Sequence, residues 1–135
     1  MTVFLDTYGL IAWINTRDAA HQRVKSYLDS YSGKILTTEW VLLEFADAFS
    51  LSKSKSFAIE AIKRIQRLPM FLVVKFELAV HQAGFDLYEN RSDKDWSDKD
   101  WSLTDCVSFA VMTQHGLSEA LTADHHFEQA GFRAG

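Results

Sequence analysis

The stretch SLTDCVSFAVMTQHGLSEALTADHHF, residues 102–127, decides the fold because it joins a helix to a strand and places an acidic residue on each. Asp105 lies on the apolar face of the predicted helix, which ends at Gly116. A short apolar strand at residues 120–122 then leads to Asp124. Carboxylates are the ligands that divalent cations such as Mg²⁺ prefer. The two acids therefore predict half of a metal site, whose other half must come from elsewhere in the chain.

Length and composition predict one domain, spanning residues 1–135, because 135 residues with 47% hydrophobic side chains suffice for a buried core. The net charge of -4 gives no overall attraction to nucleic acid, so such a partner requires a local basic patch. The single cysteine, Cys106, excludes an internal disulfide and is typical of a reducing compartment. No signal-peptide pattern and no membrane-spanning apolar run is found, so we expect a soluble cytoplasmic protein without a membrane partner.

Short apolar strands alternate with amphipathic helices along the chain. Strands are predicted at residues 3–5, 35–37, 71–74 and 120–122 and near Phe132. Thr38 is predicted to cap the third helix, and a polar loop at residues 50–56 precedes a fourth helix that Pro69 closes. The fifth helix is predicted to bury a stripe of Leu78, His81, Phe85 and Tyr88. This alternation predicts an α/β fold with a parallel sheet covered on both faces.

A five-residue block, SDKDW, occurs twice in succession, at residues 92–96 and 97–101. Five residues do not complete a whole number of helical turns, so the two copies cannot occupy equivalent positions on a helix. Trp101, at the end of the second copy, joins directly to the helix that carries Asp105. We therefore assign the structural role to the second copy and expect the first to be looped out.

Four acidic residues lie where an ordinary apolar core would not place them: Asp6, Glu44, Asp105 and Asp124. Asp6 and Asp124 each follow an apolar strand, and ligands of open parallel sheets bind at the carboxyl ends of strands. Glu44 and Asp105 lie within apolar stripes of their helices, where an unpaired carboxylate is costly. A bound Mg²⁺ or Mn²⁺ would offset that cost and would activate water against a phosphodiester. The acids therefore predict a metal-dependent phosphodiesterase.

Each acid also has a purely structural explanation. Ser102 and Asp105 match a capping box, and Asp6 and Asp124 are both suited to cap the N-terminus of a helix. Glu44 is the hardest to explain in this way, because it would have to stay buried or be exposed by a rotation of its helix. Taken together, the four acids favour the metal site, since clustered acids with perturbed titration mark function more often than structure.

The segments FLDTYG, VLLEF, SLTDC and LTADHHF contain these four acids in order and resemble the PIN-domain family, specifically its VapC-type toxin ribonucleases. The resemblance spans nearly the whole chain. It implies a three-layer α/β/α sandwich with a mostly parallel central sheet, and Mg²⁺- or Mn²⁺-dependent cleavage of RNA. It also implies a type II toxin–antitoxin system, in which a protein antitoxin inhibits the toxin and the toxin forms a homodimer.

The resemblance also assigns roles to individual residues. It implies that the metal-binding and catalytic quartet consists of Asp6, Glu44, Asp105 and Asp124. Thr7 and Thr104, each adjacent to one of these acids, are weaker candidates for orienting a ligand or water. The duplicated SDKDW block departs from the family, whose members carry one copy before the SLTD segment.

Two other functions are open to the same sequence. The first is a catalytically silent PIN-fold module that binds an antitoxin, RNA or a second copy of itself. The second is a phospho-acceptor domain built around Asp6. The chain lacks the paired acids and the strand-end lysine that we expect of such a domain, so the phospho-acceptor ranks low.

One region of the chain is basic. The candidates for contact with RNA are Lys53, Lys55, Lys63, Arg64 and Arg67, with Lys75 nearby. Phosphate attraction by these residues would offset the acidic remainder of the chain. The alternative is that they form only the solvated face of the fourth helix, and the sequence does not favour either explanation.

Two histidines, His125 and His126, directly follow Asp124. Hard cations prefer oxygen ligands to imidazole. We therefore expect both histidines in a solvated turn rather than at the metal.

Overall fold

A computed structural model of the chain describes residues 1–50, 53–91, 101–122 and 126–135. It contains one five-stranded sheet, whose strands are β1 (Thr2–Leu5), β2 (Lys34–Thr38), β3 (Phe71–Val74), β4 (Glu119–Leu121) and β5 (Arg133–Ala134). The strand order is β3-β2-β1-β4-β5, and all four pairings are parallel. The predicted α/β fold with a parallel central sheet is therefore confirmed.

Seven helices are described: α1 (Thr7–Ile14), α2 (His21–Ser30), α3 (Glu39–Ala48), α4 (Lys55–Arg67), α5 (Leu78–Arg91), α6 (Leu103–Gln114) and α7 (His126–Gln129). They form the outer layers of a three-layer α/β/α sandwich. The predicted cap of α3 is confirmed, since the Thr38 hydroxyl accepts a hydrogen bond from the Val41 amide at 3.1 Å. Helix α4 begins at Lys55, inside the predicted polar loop. Within the described ranges, no helix is long and apolar enough to cross a membrane.

Strand β1 forms the centre of the core. Its residues Val3, Phe4 and Leu5 have no exposed surface, because β2 and β4 pair with β1 on its two edges and helices cover its faces. Phe4 lies opposite Leu36 of β2 and Ala120 of β4. The chain therefore leaves β1 at the middle of the carboxyl edge of the sheet, which is where Asp6 follows.

An aromatic cluster joins α6 and α7 to the sheet. The ring of Phe109 lies 4.9 Å from those of Trp101 and Phe127 and 5.7 Å from that of Phe132, centroid to centroid. The Phe127 ring lies 6.1 Å from Phe4 of β1. Phe109 thus fixes the position of α6 against both the sheet and the segment that contains α7.

Trp101, the last residue of the second SDKDW copy, belongs to this cluster and is 7% exposed. Its packing agrees with the structural role assigned to the second copy. Residues 92–100, which contain the rest of both copies, lie outside the described residues. The prediction that the first copy is looped out therefore stays a prediction.

Helix α5 is present, but the prediction of its buried stripe is wrong for three of the four residues, while His81 is half-buried and accepts a hydrogen bond from Trp40 Nε1. Leu78, Phe85 and Tyr88 are 80%, 39% and 44% exposed. The buried side of the helix instead contains Gly84, where an added Cβ would lie 2.4 Å from Val107 Cγ2 of α6. Because a glycine allows the two helices to approach this closely, α5 turns its smallest residue, not its largest apolar ones, towards the core.

We expect Phe109→Ala to lower the free energy of unfolding by about 3–5 kcal/mol, because it leaves a cavity where α6, α7 and the sheet meet. Urea denaturation measures this change. The matched control is Phe57→Ala, since Phe57 is 66% exposed and its loss should change stability by less than about 0.5 kcal/mol. Equal losses in the two variants would show that the cluster does not stabilise the fold.

Candidate active site

Asp6 lies at the carboxyl end of β1 and caps α1. Its Oδ1 atom accepts a hydrogen bond from the Gly9 amide at 2.7 Å, and its Oδ2 atom accepts one from Thr122 Oγ1 at 2.6 Å. The residue is only 2% exposed. The structural explanation of Asp6 as an N-cap is therefore confirmed, and the cap holds the carboxylate in a fixed orientation at the predicted edge of the sheet.

The contact between Asp6 and Thr122 depends on a close approach of α1 to β4. An added Cβ at Gly9 would lie 2.2 Å from the carbonyl oxygen of Leu121, so glycine is the residue that permits this packing. Thr122 is 1% exposed, and its carbonyl oxygen accepts a hydrogen bond from Arg23 of α2 at 2.7 Å. Arg23 also donates to the carbonyl oxygen of Gly135. Thr122, which donates to Asp6, is therefore itself held in place by the hydrogen bond between its carbonyl oxygen and Arg23.

Thr122 was not predicted as a residue of the site. A signal was available, because Thr122 is the polar residue that ends the otherwise apolar strand segment at residues 120–122. A hydroxyl that is buried at a strand end must find a hydrogen-bond partner, and the neighbouring strand end supplies Asp6.

Asp105 is the third residue of α6 and is 8% exposed. It forms a complete capping box: its amide donates to Ser102 Oγ at 3.0 Å, and its Oδ2 atom accepts from the Ser102 amide at 3.1 Å. The same Oδ2 atom lies 3.1 Å from Nδ1 of His126. The capping-box explanation is thus confirmed, and it places the carboxylate at the N-terminal end of α6.

The prediction that His126 lies in a solvated turn is wrong. Its side chain is only 18% exposed and is hydrogen-bonded to Asp105. The reason is the next residue, Phe127, which has no exposed surface and packs between Phe4 and Phe109. Burial of Phe127 holds α7 against the start of α6 and carries His126 with it. His125 and Asp124 lie outside the described residues.

Glu44 lies on α3 and is half-buried, between the exposed Leu43 and the fully buried Phe45. Within the described part of the chain, its carboxylate has no hydrogen bond or ion pair. The carboxylate is therefore neither fully buried nor turned away from the protein, and it lies at the boundary between the core and solvent.

Two threonines were predicted as weaker candidates, and their environments differ. Thr104 is half-buried. Thr7 is 5% exposed, and its buried Oγ1 atom has no hydrogen-bond partner among the described residues. A buried hydroxyl without a partner is unusual in proteins and points to a water or ligand at that position.

The chemistry of these residues suits a hard cation, since Asp6, Asp105 and Thr7 present oxygen atoms next to the carboxyl edge of the sheet. Across the described ranges, however, no three Asp, Glu, His or Cys residues lie close enough together to hold a metal ion. Asp124, the other predicted ligand that follows a strand, lies outside the described residues.

The hydrogen-bond partners of the two buried acids lie before and after Asp124 in the sequence. Asp6 is hydrogen-bonded to Thr122, two residues before Asp124, and Asp105 is hydrogen-bonded to His126, two residues after it. Four residue steps span at most about 14 Å of extended chain. The covalent chain therefore keeps Thr122 and His126, the hydrogen-bond partners of Asp6 and Asp105, within this distance of each other. Asp124 lies midway between these two partners in the sequence.

The predicted RNA contacts are all at the surface. Exposed side chains are found at Lys53, Lys55, Lys63, Arg64, Arg67 and Lys75. The guanidinium carbon of Arg64 lies 5.7 Å from the centre of the Trp13 ring, so this cation packs on an aromatic face of α1. The others agree with a solvated face of α4 and its surroundings, and their contact with RNA stays a prediction.

The PIN domain family model matches residues 3–133 of the chain. Among curated proteins, no sequence matches the chain significantly. Among solved structures, the chain is similar to VapC20 of Mycobacterium tuberculosis, described as a toxin that cleaves the sarcin-ricin loop. The two are 25% identical, with a TM-score of 0.83, over 96% of this chain and 95% of VapC20.

Two further solved structures share the fold. VapBC2 of Rickettsia felis, bound to a DNA fragment from its promoter, matches with 14% identity and a TM-score of 0.67 over 100% of this chain and 98% of the other. FitAcB of Neisseria gonorrhoeae matches with 20% identity and a TM-score of 0.63 over 99% of this chain and 95% of the other. At these identities the likeness concerns the fold alone.

We expect Thr122→Val to lower the free energy of unfolding by about 1–3 kcal/mol, because it leaves the buried Asp6 Oδ2 without the hydroxyl that now donates to it. Thr122→Ser keeps the hydroxyl and serves as the matched control. Chemical denaturation of both variants measures the difference. Similar losses for valine and serine would show that packing, and not the hydrogen bond, stabilises this strand end.

Proposed function

Because the chain belongs to the PIN domain family, we propose that it is a metal-dependent endoribonuclease that acts as the toxin of a toxin–antitoxin pair. One observation carries the proposal: two buried carboxylates, Asp6 and Asp105, are hydrogen-bonded to Thr122 and His126, which lie two residues before and two residues after Asp124. The structural likeness to VapC20, a toxin that cleaves the sarcin-ricin loop, supports RNA as the substrate class.

In this proposal Asp6, Asp105 and Asp124 are the principal ligands of Mg²⁺ or Mn²⁺, and Glu44 completes or tunes the site. When bound, such a cation supplies activation of water and stabilisation of the leaving oxygen of the phosphodiester. The protein contributes orientation: the Gly9 amide and the Thr122 hydroxyl fix Asp6.

The threonines that adjoin Asp6 and Asp105 would orient a reactant in the proposed site. The buried Thr7 hydroxyl, which has no hydrogen-bond partner in the described part of the chain, is suited to bind a water or a phosphate oxygen. Thr104, next to Asp105, would act in the same way from α6. Both would orient a reactant without taking part in proton transfer.

The RNA backbone would be attracted by the basic residues of α4 and its surroundings. Lys55, Lys63 and Arg67 lie on this helix with exposed side chains, while the chain as a whole has a net charge of -4. A local cluster of cations gives a phosphate chain an attractive surface that the overall charge does not.

Two protein partners are part of the proposal, namely an antitoxin and a second copy of the chain. VapBC2 of Rickettsia felis, which shares the fold, was solved with a DNA fragment of its promoter. Phe76 and Leu78 of this chain are 55% and 80% exposed beside a cleft of about 380 Å³. Exposed apolar side chains of this kind favour a protein partner. We place the assembly in the cytoplasm, where its RNA substrate is found.

A second candidate function is a PIN module that binds partners without cleaving RNA. The observation that favours it is the tandem SDKDW duplication at residues 92–101, because the family resemblance implies a single copy at this place in the chain. The duplicated SDKDW block, directly before the helix that carries Asp105, would be the cause of the loss.

We expect Asp6→Asn to abolish RNA cleavage and growth arrest while the protein stays folded, because the amide keeps an oxygen for the Gly9 amide but loses the charge that binds the cation. Cleavage of total RNA and circular dichroism measure the two properties. The matched control is Asp29→Asn, which removes a carboxylate from an exposed ion pair with Lys25 and should leave cleavage unchanged. A fully active Asp6→Asn protein would contradict the proposed function.

Thermal unfolding with increasing Mn²⁺ separates the two candidate functions in the same set of proteins. A ligand at 100 times its dissociation constant stabilises the folded state by about 2.7 kcal/mol. The wild-type protein and Asp29→Asn should show such a gain, and Asp6→Asn should not. A wild-type protein that gains no stability would favour the silent module.

We expect the double variant Lys63→Ala and Arg67→Ala to bind single-stranded RNA more weakly, because two phosphate contacts are lost. The slope of log affinity against log salt concentration is negative, and its magnitude should decrease by about 1.4, at about 0.7 for each contact. Measurements should use a cleavage-deficient Asp6→Asn background, with Lys25→Ala of α2 as the surface control. An unchanged slope would assign these cations to the solvated face of α4 only.

A further inference from the structure

The geometry points to His126 as a positioning residue that orients Asp105 for metal binding. This inference rests on the proposed function, since it assigns a role to His126 within the same site. It starts from the contact between His126 Nδ1 and Asp105 Oδ2, which is 3.1 Å long and largely shielded from solvent, with side-chain exposures of 18% and 11%.

The hydrogen-bonding chemistry defines the direction of this contact. In the proposed metal-bound site the Asp105 carboxylate is ionised and only accepts hydrogen bonds, so the hydrogen of this contact is assigned to Nδ1 of His126, which donates it. The backbone amide of Ser102 donates to the same Oδ2 atom at 3.1 Å. Two donors on one oxygen fix the rotation of the carboxylate about its Cβ–Cγ bond, and thereby fix the direction in which Oδ1 projects.

The two donors come from opposite sides of Asp105 in the chain. Ser102 is the N-cap of the helix that carries Asp105, whereas His126 belongs to α7 and lies 21 residues after Asp105. The position of α7 is fixed by Phe127, which is fully buried between Phe4 and Phe109. Packing of Phe127 in the core therefore holds His126 in place, and His126 in turn restrains Asp105. The capping box alone does not connect Asp105 to the core in this way.

Residues that hydrogen-bond a metal ligand tune the affinity of the site, and their loss typically lowers metal affinity about 10–100-fold. His126→Leu removes the donor and should weaken Mn²⁺ binding by about this factor. His126→Asn keeps an amide N–H near the position of Nδ1 and should restore affinity. His126→Gln places its amide nearer to the position of Nε2 and should not.

Isothermal titration of the metal-free proteins with Mn²⁺ alone measures these affinities without reference to RNA cleavage. The matched control is His115→Leu, because His115 lies at the other end of α6, where its Nδ1 is 3.0 Å from the carbonyl oxygen of Val111. A histidine with a merely structural role would lower the melting temperature when replaced but would leave Mn²⁺ affinity unchanged, and this is what we expect of His115.

The outcomes separate the inference from the function on which it rests. Wild-type affinity in His126→Leu, or equal losses in the asparagine and glutamine variants, would overturn the role of His126 and leave the proposed nuclease intact. Absence of Mn²⁺ binding by the wild-type protein would overturn both. If His126→Leu does not fold, the comparison of asparagine with glutamine decides the question by itself.

Discussion

The hydrogen-bonded burial of the Asp6 carboxylate is the constraint on which the rest of the structure depends. A charge at the end of the central strand is tolerated only if donors surround it, and the Gly9 amide and the Thr122 hydroxyl are among them. Each donor requires a particular packing. The amide requires that α1 begin directly after β1, and the hydroxyl requires that β4 lie beside β1, with Gly9 allowing the helix to approach Leu121. The solvation of this one carboxylate therefore requires the central topology that the sheet has.

Much of the fold could be predicted from the sequence because its signals are local. Strand ends at Asp6 and helix caps at Thr38 and Ser102 each depend on a few adjacent residues. The buried face of α5 could not be predicted in this way, because the contact of Gly84 with Val107 outweighs the apolar stripe of that helix. The environment of His126 likewise depends on where Phe127 packs.

The structural and functional explanations of the acids turned out not to exclude each other. Asp105 completes a capping box, and Asp6 caps α1, yet both remain buried and hydrogen-bonded to other elements, at His126 and Thr122. A carboxylate in a helix cap has already lost its rotational freedom, so holding a cation costs it little additional entropy. A capping pattern in a sequence therefore does not argue against a ligand role, and the donors that surround the cap are the more informative feature.

The bond between Asp6 and Thr122 joins residues 116 positions apart, and it has a consequence for the order of events during synthesis. Parallel pairing of β1 with β4 has to close almost the whole chain into a loop, and such long-range contacts form late and slowly. Translation at about 5–20 residues per second delays the arrival of Thr122 by on the order of ten seconds after Asp6. A nascent chain on the ribosome is therefore incomplete at this edge of the sheet until Thr122 has been synthesised and has emerged, so a nuclease built in this way could not act before that point.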